Sequence, residues 1–150
     1  NMPNHRELLT QVFCDVLESF AFMFGDPVAP EELPPSDSGF IEARMTFRGK
    51  LNGTLVLAAA SGVVTEIAAS ILGTEPDDEA AAGRARDALK EVLNVTCGHV
   101  LSALAGEQAF DLTPPTVTDL DEAGWSAHLN DPDVATFSIE DNPAVLRLIL

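Results

Sequence analysis

The sequence predicts an α/β sandwich of two or three layers, with a largely antiparallel sheet and one long helix that carries a polar motif. Three observations lead to this prediction. An amphipathic helical pattern opens the chain, two strand patterns joined by a short turn follow it, and the longest helical pattern spans about Asp77 to Ala105. Further strand patterns fill the last third. Strands grouped in this way, without strict strand–helix alternation, favour an antiparallel sheet covered by helices.

The first helical pattern runs from about His5 to Met23, with apolar residues at every third or fourth position. We expect this helix to end near Gly25, where Asp26-Pro27 follows. Residues 26–39 contain four prolines and are predicted to form a loop. One helix is too little to fold alone, so we interpret this loop as internal and expect one domain over residues 1–150.

Two strands are predicted after the loop. Ile41, Ala43, Met45 and Phe47 alternate with polar residues, which is typical of a strand with one buried face. Residues 54–60 are apolar on both faces and therefore predict a strand inside the sheet. Asn52-Gly53 between them is expected to adopt positive φ in a tight turn that makes the pair antiparallel.

A short helix is predicted next, capped by Ser61 and closed by Gly73. After the long helix, Pro114 and Pro115 force an extended chain. Three strand candidates follow in the last third, with a turn at residues 141–143 between the last two. These candidates are Trp125–Leu129, Asp133–Glu140 and Ala144–Leu150. Trp125 is expected to be partly buried at a sheet edge rather than to stack on a ligand, and a role in an interface stays open.

Composition limits the classes of partner. The formal net charge of −16, from 24 acidic and 8 basic residues, argues against nucleic acid and against an anionic membrane surface. No apolar stretch approaches the length of a membrane span and no signal-peptide pattern is seen, so we expect a cytoplasmic protein. Cys14 and Cys97 lie in apolar helical patterns and are predicted to be free, buried thiols. Asn1 precedes Met2, and we expect it to be a remnant of expression.

The long helix carries an unusual polar face. At about 100° per residue, Asp87, Glu91, Asn94 and Gly98 fall on one side of the helix. The predicted core positions fall on the opposite side: Ala85, Leu89, Val92, Thr96, Val100 and Ala103. Glycine costs a helix roughly 1 kcal/mol relative to alanine, so helix stability does not explain Gly98. A carboxylate and an amide on a solvated face are nevertheless common in an acidic chain, and the spacing alone is a weak signal.

No metal or cofactor site is predicted on this chain. Cys97 and His99 are two residues apart, so on a helix they project in different directions and do not form a zinc site. The sequence has no glycine-rich phosphate loop followed by lysine. Arg84 and Arg86 could pair with acidic residues on the same helix or contact a partner, and we favour the pairing.

The segment Glu91–Gly98, "EVLNVTCG", followed by Pro114 and Pro115, resembles the chemotaxis phosphatases of the CheX and CheC type. The hairpin "FRGKLNGTLVL", the short helix "VVTEIAASILG" and the earlier "SFAFMFG" are similar to the same family. The chain has a single Glu-x-x-Asn motif, because neither Glu7 nor Glu18 has an asparagine three residues on. One copy indicates the CheX-like branch. Which of the two prolines corresponds to the family position stays open.

This resemblance implies hydrolysis of the phospho-aspartate on a phosphorylated CheY-like response regulator. Asn94 would position the attacking water, and Glu91 would accept a hydrogen bond from the regulator's lysine. Asp87 and Gly98 would flank the contact with the partner. The implied Mg²⁺ belongs to the partner receiver domain, and no cofactor is expected on this chain.

Two alternatives stay open at this point. The same fold can serve as a non-catalytic module that binds a receiver or dimerises, or as a structural α/β domain whose partner is unrelated to signalling. CheX-like chains also suggest a homodimer formed through sheet edges. The apolar last strand, Ala144–Leu150, would need to be covered, which agrees with such a dimer.

Overall fold

The computed structural model describes residues 5–150, so the expectation for Asn1 lies outside the described residues. This part of the chain contains four α-helices and a short 3-10 helix: α1 Arg6–Phe20, α2 Ser61–Leu72, α3 Glu79–Ala105, α4 Glu122–Leu129, and the 3-10 helix Pro30–Glu32. Among the same residues seven strands form one sheet: β1 Asp26–Pro27, β2 Phe40–Arg48, β3 Gly53–Ala60, β4 Asp111–Leu112, β5 Thr116–Leu120, β6 Ala135–Ile139 and β7 Asn142–Ile149. None of the helices from residue 5 onward is long and apolar enough to cross a membrane.

The sheet is antiparallel at every pairing, in the order β1-β6-β7-β3-β2, with β4 and β5 both pairing the outer side of β2. The central strand β3 lies between β2 and β7. It is apolar on both faces because Leu57 packs in the main core on one side and Ala58 in the smaller core on the other. Ala43 and Leu146 flank Leu57 from the two sides. The predicted fold class is confirmed.

Helices cover the two faces of the sheet unequally. The main core lies between the sheet and helices α1, α2 and α3, and it contains Phe13 and Phe137 with ring centroids 4.8 Å apart. A smaller core lies on the opposite face under α4, where Phe40 stacks on Trp125 at 4.2 Å. The fold therefore has three layers, of which the α4 layer is thin.

The segment Trp125–Leu129, predicted as a strand, belongs to the helix α4. Asp121 caps this helix by accepting a hydrogen bond from the backbone N–H of Gly124 at 2.8 Å. Trp125 and His128 are the buried residues of α4, and their spacing of three is helical. Ala127, which made the sequence appear to alternate, is exposed. Trp125 is thus buried in the smaller core and does not lie at a sheet edge.

Helix α1 ends at Phe20, about five residues before the predicted end near Gly25. Phe22 takes a left-handed conformation with φ of 57°, which breaks the helix, and the Met23 N–H turns back to the Leu17 carbonyl at 3.0 Å. Met23 still packs in the main core, so the apolar pattern outlasts the helix. The loop predicted over residues 26–39 is interrupted by β1 and by the 3-10 helix.

Two predicted turns differ from the structure. Neither Asn52 nor Gly53 has positive φ. Gly53 is instead required because a Cβ there would meet the Phe47 ring and the backbone of β7. The turn between β6 and β7 lies at Glu140 and Asp141, with φ of 49° and 63°, one residue earlier than expected.

The C-terminal end of α2 was predicted correctly, whereas its N-terminal cap was not. Ser61 is the first helical residue and makes no side-chain cap, because Ala60 occupies the N-cap position. The Ser61 N–H instead donates to the Gly39 carbonyl at 3.0 Å. Gly73 closes the helix in a left-handed conformation with φ of 70°, as predicted.

The apolar last strand is β7, and it is an interior strand between β6 and β3. Its residues Ala144, Val145 and Leu146 are fully buried within the chain itself. The argument that this strand needs cover from a second subunit was therefore wrong. Strand β5 lies at the sheet edge beyond β2. Among the described residues, its other side has no partner strand.

Candidate functional site

The long helix α3 is the scaffold of the candidate site. Asp78 is its N-cap, and the Asp78 side chain accepts a hydrogen bond from the Ala80 N–H at 2.9 Å. The helix ends before Gly106, which has φ of 66°. Its buried face packs on α2, α1 and the sheet, and Thr96 satisfies its hydroxyl there by donating to the Val92 carbonyl at 2.7 Å. Ala103 was predicted in the core but is exposed, because the buried face shifts towards Leu101 in the last turns.

Asp87, Glu91, Asn94 and Gly98 are all exposed on the outer face of α3, opposite the buried residues. Glu91 and Asn94 are three residues apart and therefore adjacent on the helix surface. Within residues 5–150 neither side chain has a hydrogen-bond or ion-pair partner. The fold thus presents a carboxylate and an amide whose hydrogen-bonding capacity is unused.

The motif lies beside a shallow surface depression of ≈ 560 Å³ that also includes Pro114 and Pro115. Both prolines belong to the connection between β4 and β5, and Pro115 is half-buried whereas Pro114 is exposed. Both face the same depression as Glu91 and Asn94, so the structure does not choose between them as the family proline. The fold thus places the two prolines beside the motif, although about twenty residues separate them in sequence.

The opposite wall of the depression is apolar. Phe20 comes from the end of α1, and Ile71 and Leu72 come from the end of α2. The Leu72 side chain is 41 % exposed, which is high for a large aliphatic residue at a helix end. This wall was not predicted, because it depends on where the helices α1 and α2 end relative to α3.

Gly98 faces open space. A Cβ built at this position meets no atom within 4 Å, and the same holds for Gly83 two helical turns before Glu91. Packing inside the protein therefore does not require glycine at either position. Gly98 leaves a notch one turn beyond Asn94, where the backbone of another molecule can approach closely.

Basic side chains border the motif. Arg84 and Lys90 line the depression together with Asp87. Arg86 pairs with Asp119 of β5 at 2.6 Å, so the expectation that it pairs within its own helix was wrong. This pair joins α3 to the end of the sheet, a contact that only the tertiary fold creates.

The cysteine and histidine of the same helix lie on different sides of it. Cys97 is buried, and burial raises the pKa of its thiol to about 11, whereas His99 is exposed. Cys14 is only half-buried, so the prediction of two buried thiols holds for Cys97 alone. In the part of the chain that the structure describes, no group of three His, Cys, Asp or Glu residues is arranged to hold a metal ion.

A buried polar network on the opposite face of the sheet was also missed. His128 of α4 contacts Glu42 of β2 through Nε2 at 2.6 Å, and Arg147 of β7 donates to its Nδ1 at 3.3 Å. The hydrogen bond from His128 lowers the pKa of Glu42, partly against the opposite effect of burial. Arg147 also pairs with Asp131 at 2.8 Å. The network fastens α4 to the sheet and lies away from α3.

These features define the class of protein by the kind of site that it carries. The site is a free carboxylate and amide on an open helix surface, beside an apolar wall, on an α/β sandwich. An open surface does not enclose a small substrate, but it can hydrogen-bond to groups and water molecules held on another macromolecule.

The comparisons with known proteins identify the family. The family model "Chemotaxis phosphatase CheX" matches residues 41–136, which include all four motif residues, and the chain belongs to this family. No curated protein sequence matches the chain.

Several solved structures share the fold. CheX from Vibrio vulnificus superposes with a TM-score of 0.70 at 18 % identity, covering 99 % of this chain and 98 % of that chain. A complex of CheX and CheY with BeF3 and Mg²⁺ from Borrelia burgdorferi gives 0.65 at 18 % identity, with 95 % of both chains covered. FliY from Thermotoga maritima gives 0.58 at 17 % identity, with coverages of 99 % and 91 %.

Proposed function

We propose that this protein hydrolyses the phospho-aspartate of a CheY-like receiver domain, with Asn94 orienting the attacking water. The observation that carries the proposal is the free, exposed pair of Glu91 and Asn94 in a chain of the CheX family. Both side chains are exposed and have no partner within residues 5–150, so they are available to a docked protein.

The chemistry requires little from this chain. An acyl phosphate is already activated, and a receiver domain brings its own Mg²⁺ and lysine to stabilise charge on the phosphoryl group. The Asn94 amide would hold a water in line with the phosphorus. The water oxygen bonds to phosphorus as the P–O bond to the aspartate breaks, the aspartate carboxylate leaves, and the water's protons pass to phosphate and solvent. An amide suits this task because it offers both a donor and an acceptor without titrating.

The neighbouring side chains would fix the docked position. Glu91 would accept a hydrogen bond from the receiver's lysine, a charge-assisted contact. Asp87 would lie at the rim, and Gly98 would allow close approach of the receiver backbone. The Borrelia burgdorferi complex of CheX with CheY and Mg²⁺ supports a receiver as the partner of this fold.

The test is the lifetime of phosphorylated receiver domains in Mg²⁺, with and without this protein. Asn94→Ala should abolish an acceleration of about a hundredfold, since positioning one water supplies roughly 3 kcal/mol. Asn130→Ala, at another exposed asparagine, is the matched control and should keep full activity. Receiver binding without any acceleration by the native protein would favour the non-catalytic docking module instead.

The remaining expectations for the family are part of this proposal. A homodimer would use the free side of β5, Thr116–Leu120, where the unpaired strand edge can continue the sheet. Sedimentation at several concentrations would test it. A receiver phosphorylated inside the cell also implies a cytoplasmic location, which fractionation would check.

A further inference from the structure

Two aromatic rings stand exposed in the connection between α1 and β1. Phe22 is 72 % and Phe24 is 74 % exposed, whereas their neighbours Ala21 and Met23 are buried in the main core. The segment therefore alternates, with Phe22 and Phe24 directed outward together. We call these two residues the aromatic patch. Large aromatic side chains grouped on a surface mark an interaction site more often than isolated exposed apolar residues do.

The backbone shows that the fold does not need the first of these rings. Phe22 has φ of 57°, a conformation in which a bulky side chain is strained and glycine is not. The turn that this conformation makes, with Met23 returning to Leu17, needs no aromatic side chain. The ring is kept at an unfavourable position and makes few contacts within its own chain, which indicates that its role lies outside the folded chain.

The aromatic patch and the depression beside Asn94 adjoin the same helix end, the last turn of α2. Phe22 and Phe24 border a second shallow depression of ≈ 250 Å³ that Ser70 of α2 also lines. The next residues of α2, Ile71 and Leu72, form the apolar wall beside the motif. The last turn of α2 therefore separates the two depressions and contributes to both. A partner that covers this turn of α2 can reach both depressions.

The rim of the second depression is acidic. Glu66 and Glu140 line it, and the pKa of Glu66 is raised by burial first and then by the charges of Glu140 and Glu75. A second copy of this chain would bring the same acidic rim against itself. Apposing like charges opposes such a pairing, and the formal net charge of −16 strengthens the repulsion. The rim instead fits a partner whose apolar contact is bordered by lysine or arginine.

We propose that the aromatic patch of Phe22 and Phe24 is a second docking element for the receiver domain, which sets affinity and partner choice without taking part in hydrolysis. It would take an apolar patch on the receiver bordered by basic side chains. The inference rests on the proposed function, because a receiver docked at the motif would lie against the α2 end that also borders the aromatic patch. Aromatic side chains at the centre of an interface commonly carry much of its affinity.

The test uses the full chain and separates affinity from turnover. The variant Phe22→Gly with Phe24→Ala removes both rings, and glycine fits the left-handed position, so folding is preserved. Leu150→Ala, at another exposed apolar residue with 60 % exposure, is the control. The probes are the CheY-like receiver domains of the source organism, phosphorylated with acetyl phosphate in Mg²⁺. The double variant should raise KM about thirtyfold and leave kcat within about twofold.

The outcomes of this test are distinct for the two proposals. Asn94→Ala should show the opposite division, a lost kcat with binding retained, and kcat unaffected by Asn94→Ala would overturn the proposed function. An unchanged KM in the double variant, with kcat still dependent on Asn94, would overturn only the docking element. A dimer of the native chain that dissociates in the double variant would show a second copy to be the occupant. No binding or hydrolysis of any receiver by the native protein would overturn both.

Discussion

Replacing Gly98 by alanine should make the protein more stable and less active. The position is helical, exposed and open, with no atom within 4 Å of an added Cβ. Alanine should therefore gain its full advantage in helix propensity, about 1 kcal/mol in the free energy of unfolding. For a domain of this size that corresponds to a rise in Tm of about 2–4 °C. No contact inside the protein opposes this gain.

The same methyl group should interfere with docking if the receiver backbone approaches the notch at Gly98. Forcing one extra methyl into a close contact typically costs about 1–3 kcal/mol, which we expect as roughly a thirtyfold loss of kcat/KM for receiver dephosphorylation. The assay is phosphate release at several receiver concentrations, combined with thermal unfolding of the same preparations.

Gly83 provides the matched control for this prediction. It lies on the same helix, about two turns before Glu91, and its Cβ position is equally open. Gly83→Ala should give the same rise in Tm and leave kcat/KM within about twofold. A Gly98→Ala variant that is stabilised and keeps full activity would refute the assignment of Gly98 to the contact surface. Equal losses of kcat/KM in Gly98→Ala and Gly83→Ala would refute the notch at Gly98 as the cause of the loss.

Three further predictions concern the stability and reactivity of the fold. Removing the Glu42 carboxylate by Glu42→Ala leaves the buried His128 without its partner and should destabilise the protein by about 3 kcal/mol in urea unfolding, whereas exposed Glu122→Ala should have little effect. The folded-state pKa of Glu42 lies below its ordinary value of 4.5. The stabilisation is therefore present above pH 4.5 and is lost as pH falls through the folded pKa. The difference in the free energy of unfolding between native protein and Glu42→Ala should shrink in acid. A thiol reagent at pH 8 should modify half-buried Cys14 before Cys97. Burial and a pKa of about 11 should keep the Cys97 thiol from reacting until the protein unfolds. Equal rates of modification would contradict the burial of Cys97.

The sequence predicted the elements whose signals are local and repeated. The period of α3 placed Glu91 and Asn94 on the exposed side, since a helix of that length averages out single exceptions. The alternation of β2 and the double-sided apolar pattern of β3 likewise gave the centre of the sheet. These patterns are set by burial of one face, which is written directly into residue spacing.

The features that were missed depend on contacts between distant parts of the chain. The short helix α4 buries only Trp125 and His128, so its pattern was indistinguishable from a short alternating strand. The left-handed residue that ends α1 is a phenylalanine, which no rule of composition marks as a helix stop. The pairing of Glu42 with His128, and the depression that Asn94 shares with both prolines, follow only from the tertiary fold.

The most direct test of the account is the single-turnover rate of receiver dephosphorylation at saturating concentrations of native protein and of Asn94→Ala. Saturation removes any effect on docking, so the rate reports the positioned water alone. We expect a loss of about a hundredfold for Asn94→Ala with receiver affinity preserved. A saturated rate equal to that of the native protein would contradict the assignment of Asn94 as the residue that orients the water.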